Sequence, residues 1–137
     1  MRSPTNFSFP VVDAPSGFPS PAEDYIDQRL DLNEHLIIHP AATYFFRVQG
    51  DSMSAAGIAC GDLLVVDRSI EPKPGHVVVA VVDGGLTVKR LKLAGRQLVL
   101  ATEAPESPHI PLAEECSAEI WGVAVHVIHR LTPCRSL

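Results

Sequence analysis

From Thr43 onward the chain is a succession of strand-length apolar runs, each closed by a turn signal. The runs fall at residues 43–49, 63–67, 76–82, 86–93, 97–101 and 119–130, with a weaker one near 109–112. Between them stand Gly61-Asp62, Pro72-Lys73-Pro74-Gly75, Asp83-Gly84-Gly85, Gly95 and the stretch from Pro105 to Pro108. Short apolar runs bounded by Gly and Pro read as strands. Asp83-Gly84-Gly85 between Val82 and Leu86 is a tight hairpin signal, because such turns need residues tolerant of positive φ. With almost no long helical period to compete, the pattern predicts a mainly β fold, a compact curled β-sheet. In the last run Trp121, Val123, Val125 and Val127 alternate, so the run is expected to be core or a dimer interface.

Ahead of that region the character changes. Pro4, Pro10, Pro15, Pro19 and Pro21 fix φ and remove backbone donors, so residues 1–22 are expected to form an extended arm that joins no central strand. Residues 23–137 are expected to form the folded domain. Its entry carries a capping box, with Asp31 as N-cap and Glu34 three residues on, so a short helix is predicted before Pro40. His35 and His39 are four apart. No third ligand accompanies them, so a solvated helix face is the favoured reading over a metal site.

The chain of 137 residues suits one domain with a real core, and 46% of it is hydrophobic. A net charge of −5 without a basic run argues against direct, sequence-specific DNA binding, which needs clustered Lys and Arg against phosphates. The apolar runs are too short to cross a membrane as helices, and the first residues lead into a proline-broken stretch rather than a signal-peptide core. Cytoplasm is the expected compartment. Cys60, Cys116 and Cys134 make no CxxC pair and no disulfide framework. No cofactor or metal is expected.

The chemistry centres on Gly50-Asp51-Ser52-Met53, at the end of the run Tyr44-Phe45-Phe46-Arg47-Val48. A serine is a nucleophile only if a base takes its proton. No Ser-His-Asp pattern lies near, but Lys89 stands within Leu86-Thr87-Val88-Lys89-Arg90-Leu91-Lys92-Leu93. Free lysine, with a pKa of about 10.4, is a cation at neutral pH; burial among apolar groups penalises that charge. Strand alternation gives Lys89 the same face as Thr87, Leu91 and Leu93, and turns Arg90 and Lys92 the other way. Leu86 and Val88 fall on the opposite face, which calls for a sheet covered on both sides or twisted by a bulge. Taken singly, each residue has a bland reading: Gly-Asp-Ser is ordinary turn composition, and a strand lysine often snorkels to solvent.

Taken together, in order and spacing, the pieces are specific. Gly50-Asp51-Ser52-Met53, Gly57-Ile58, Gly61-Asp62-Leu63-Leu64-Val65-Val66-Asp67 and Thr87-Val88-Lys89-Arg90-Leu91 resemble the LexA-like self-cleaving serine peptidases, and within them the mutagenesis proteins of the SOS response. Gly17-Phe18-Pro19-Ser20-Pro21, Asp31-Leu32-Asn33, His39-Pro40, Ala42-Thr43-Tyr44-Phe45 and Gly122-Val123 extend the resemblance from about Gly17 to about Arg130. It implies a β-rich peptidase fold, Ser52 as nucleophile, Lys89 as base, and an oxyanion hole from the N–H groups of Asp51 and Ser52. It further implies self-cleavage between Ser16 and Gly17, where Ser16 replaces the usual Ala or Cys. Also implied are a homodimer, stimulation by the RecA filament on single-stranded DNA, and service of the trimmed form to the catalytic subunit of a translesion polymerase.

Rival readings remain at this level. A LexA-type repressor needs a helix-turn-helix domain, for which the arm leaves no room. A type I signal peptidase also uses Ser and Lys but needs a membrane anchor. A non-cleaving β module that assists a polymerase would keep the fold without the reaction.

Overall fold

Strand formation follows from the apolar runs, and their pairing from which faces they must bury. The structure is a computed structural model and describes residues 9–12, 26–103, 109–111 and 118–132. The chain divides into two compact units, Met1–Ile38 and His39–Leu137. Ser16 and Gly17, and Cys116 and Cys134, lie outside the described residues.

In the first unit, β1 (Phe9–Val12) pairs antiparallel with β2 (Ile26–Leu30), Phe9 opposite Leu30 and Val11 opposite Gln28. The sequence pattern foretold neither strand. Pro10 is tolerated because a two-stranded ribbon is all edge. Helix α1 (Leu32–Leu36) then starts where the capping signal placed it: the Asp31 carboxylate accepts from the Asn33 N–H at 3.0 Å.

The second unit holds β3 (Thr43–Arg47), β4 (Leu63–Asp67), β5 (Val77–Val82), β6 (Gly85–Ala94), β7 (Gln97–Ala101), β8 (His109–Pro111) and β9 (Ala118–Ile128). They form one antiparallel sheet in the order β3-β4-β9-β5-β6-β7-β8. Each expected strand is present, with ends moved by at most two residues. Asp83 and Gly84 both take positive φ, 51° and 83°, and close a two-residue hairpin in which Gly85 already pairs with Val82.

Both faces of this sheet are buried at its centre, which is why β5 reads Val-Val-Val-Ala-Val-Val without alternation. Val79 joins Val48, Met53, Ile58, Leu64 and Val66 in one core cluster. Val78 and Ala80, one residue out of phase, join Leu91, Leu100 and Val123 in another. Val88 packs on the first cluster and Leu91 sits inside the second, so β6 is covered on both sides around Lys89. Trp121 packs on the first cluster, edge-on to Tyr44 and Phe46 with ring centroids 5.0 and 5.2 Å away, beneath the Arg68 guanidinium at 4.2 Å.

Candidate active site

Ser52 is presented by a loop whose two ends are pinned. At its start, the Val48 N–H donates to the Asp62 carbonyl at 2.9 Å, and the Gly61 N–H to the Val48 carbonyl at 2.8 Å. Gly50 then turns the chain with φ of 82°, a left-handed conformation that a side chain would strain. Met53, 2% exposed, plugs into the first core cluster. A 3-10 turn, Ser54–Ala56, follows, and the Ala55 N–H donates to the Glu103 carbonyl at 2.7 Å. Ser52 is thereby held at the surface between a glycine hinge and a buried methionine. Among the described residues none accepts a hydrogen bond from the N–H groups of Asp51 or Ser52.

Beside this loop lies a cleft of about 360 Å³. Ser52 and Met53 line it from the loop, Phe46 and Val48 from β3 and its continuation, Val79 from β5, and Leu86, Thr87 and Val88 from β6. Lys89 is the next residue on β6, opposite Val78 in the ladder. By alternation it shares its face with Thr87, while Leu86 and Val88, which also line the cleft, lie on the other face; Lys89 itself is not among the lining residues. Lys89 is half-buried, and loss of hydration lowers its pKa below the ordinary lysine value.

Two buried carboxylates brace the strand that backs this region. Asp62 and Asp67 stand at the two ends of β4, exposed only 2% and 3%. Asp67 Oδ2 meets His39 Nδ1 at 2.6 Å, while its Oδ1 accepts from the Ser69 N–H at 2.8 Å and the Ser69 hydroxyl at 2.6 Å. Asp62 Oδ1 meets His129 Nδ1 at 2.6 Å, and its Oδ2 accepts from the Ala59 N–H at 2.8 Å. Burial alone would raise both carboxyl pKa values. Hydrogen bonds from Ala59 and His129 to Asp62, and from Ser69 and His39 to Asp67, outweigh it and hold both below the usual range. Sequence reading missed both pairs, because the partners are 28 and 67 residues apart and no local motif links them. His39 is engaged by Asp67, and among the described residues no cluster of three ligating side chains exists.

The sequence matches the Peptidase S24-like family over residues 10–125, nearly the whole chain and including both Ser52 and Lys89. The chain belongs to the S24-like peptidase family. Individual relatives agree. Protein ImpA of Salmonella typhimurium is 49% identical over 121 residues, covering 88% of this chain and 81% of that protein. Protein MucA of Escherichia coli is 44% identical over 111 residues, 81% of this chain and 76% of that protein. The LexA repressor of Shewanella denitrificans is 40% identical over 114 residues, 82% of this chain but 55% of that protein. S24 peptidases are self-cleaving serine peptidases, and a surface serine on a pinned turn above an apolar cleft is in keeping with that chemistry. The mainly β fold expected from the strand pattern and from the resemblance to LexA-like peptidases is the fold observed. Among the described residues no helix is long and apolar enough to cross a membrane.

Proposed function

We propose that the chain is a UmuD-like SOS mutagenesis protein that cuts its own arm with a serine-lysine dyad and then serves an error-prone polymerase. The observation that carries the reading is local. Ser52 lines the same cleft as Leu86, Thr87 and Val88, the β6 residues that lead directly to a half-buried Lys89 whose pKa is lowered by burial.

In the reaction, neutral Lys89 takes the Ser52 hydroxyl proton. Ser52 Oγ attacks the Ser16 carbonyl carbon, and the N–H groups of Asp51 and Ser52 stabilise the oxyanion. The Ser16–Gly17 bond breaks; the Gly17 amine leaves with the proton that Lys89 carried. Water then hydrolyses the ester between Ser52 and Ser16 and restores both residues. The arm, residues 1–22, is tethered to the peptidase domain, residues 23–137, so its effective concentration is high without a deep substrate pocket. Gly17 allows the bend that brings the carbonyl to Ser52. The working form is a cytoplasmic homodimer. A RecA filament on single-stranded DNA favours the cleavable arrangement, and the trimmed form acts with a UmuC-like catalytic subunit.

The test is incubation of the purified chain at alkaline pH without a partner, read by intact mass. Cleavage with a large fragment beginning Gly-Phe-Pro-Ser-Pro is expected. Its rate should climb with pH and level off above the lowered Lys89 pKa, because only neutral lysine accepts the proton. Ser52→Ala and Lys89→Ala should each abolish it. A chain that stays intact under all conditions is the non-cleaving accessory module instead.

A further inference from the structure

Ser52 and Lys89 belong to different elements, so their mutual approach needs a tie between the loop after β3 and strand β6. Besides the packing of Met53 and Val88 on one core cluster, Glu103 is hydrogen-bonded to both. Glu103, just past β7, accepts from the Ala55 N–H through its main-chain carbonyl at 2.7 Å, three positions beyond Ser52. Its carboxylate Oε1 accepts from Arg90 Nε at 2.8 Å, the residue next to Lys89, and lies 3.9 Å from Lys92 Nζ. Arg90 is held at its other end too, where Nη1 donates to the Gly75 carbonyl at 2.8 Å. The side chains of Arg90 and Glu103 are only 27% and 24% exposed, so solvent screens the pair less than a surface bridge. By alternation Arg90 projects from the face of β6 opposite to Lys89. Clamping the guanidinium at two points therefore fixes the rotation of β6 about its own axis at Lys89.

We propose that Glu103 is a positioning residue: its main chain holds the turn after Ser52, its carboxylate holds β6 through Arg90, and together they set the approach of Ser52 Oγ to Lys89. The inference rests on the reading of Ser52 and Lys89 as a dyad. It explains why a two-element site is rigid enough for chemistry that loses rate steeply with small displacements.

The experiment uses the full chain as wild type, Glu103→Gln, Glu103→Asp, Arg90→Gln and the double glutamine variant. Three things are measured: the pH–rate profile of self-cleavage well below every unfolding temperature, labelling of Ser52 by a fluorophosphonate, and thermal unfolding. Glu103→Gln and Arg90→Gln should each lower the alkaline plateau about ten-fold or more. The double variant should lie no lower than the weaker single, because both changes cut one tie. Glu103→Asp, which keeps the charge on a shorter stem, should fall between. A purely structural role would lower the unfolding temperature and leave the plateau alone. A Glu103→Gln plateau within two-fold of an active wild type overturns the proposal and leaves the dyad standing. If Glu103→Gln does not fold, Glu103→Asp decides by the same criterion. A wild type that neither cleaves nor labels removes the dyad and the proposal with it.

Discussion

A lysine becomes a base only where its ammonium form is costly, and that cost must be visible in stability as well as in rate. Desolvation lowers the Lys89 pKa in the folded state, below about 10.4 in the unfolded chain. The folded state therefore binds fewer protons than the unfolded one between those two values, and stability rises with pH across that window. At neutral pH and below, the penalty of the half-buried charge is fully present. Lys89→Met, which keeps the stem and removes the charge, should raise stability at neutral pH by about 1 kcal/mol or less, because solvent screens much of the penalty at a side chain this exposed. The gain should shrink toward strongly alkaline pH, where the wild-type lysine is neutral in both states. Urea unfolding at the two pH values measures it; equal gains at both would mean that Lys89 is not destabilised by desolvation. This environment was legible in the sequence, because Leu91 and Val88 announce burial on either side of Lys89. The clamps on Asp62 and Asp67 were not. A buried carboxylate looks like any turn aspartate until its distant histidine is placed beside it.

At the scale of elements, β9 runs between β4 and β5, and its fit against β4 is set by one missing side chain. A Cβ on Gly122 would stand 2.7 Å from Val66 Cγ1 and 3.3 Å from Arg68 Cγ. Val66 is fully buried, and Arg68 is fastened both over the Trp121 ring and by its Nε to the Trp121 carbonyl at 2.9 Å. Neither neighbour can retreat cheaply. Gly122→Ala should cost about 1–3 kcal/mol through overpacking, read as a lower urea midpoint with an unchanged slope. A midpoint equal to wild type would mean that β9 shifts freely against β4. The large strands could be read from sequence because each carries a continuous apolar run between turn residues. The pair β1 and β2 could not. Ile26-Asp27-Gln28-Arg29-Leu30 has no such run, and Pro10 in Phe9–Val12 argues against any strand but an edge.

At the scale of the molecule, that unexpected ribbon changes what the proposed cut would do. The Ser16–Gly17 bond lies between β1 and β2 in the chain, so cleavage leaves β1 on the released piece and β2 on the retained one. Before the cut, the connection keeps the two strands at high effective concentration. Afterwards their pairing becomes bimolecular, at whatever concentration the fragments have. The ribbon is poorly equipped for that. It joins four residue pairs, the register slips between Val11 and Val12, and Pro10 offers no N–H. Pairing between two strands contributes little by itself even when they are connected. Cleavage should therefore weaken the pairing of β1 with β2, whose ladder partners then lie on separate pieces. Hydrogen exchange gives the test. Amides of β2 that point at β1 should be protected in the Ser52→Ala chain and should exchange freely in the trimmed product, while those of β4 and β5 stay protected in both. Retained protection of β2, with the small fragment co-eluting on gel filtration, would show that the cut alone does not disassemble the ribbon.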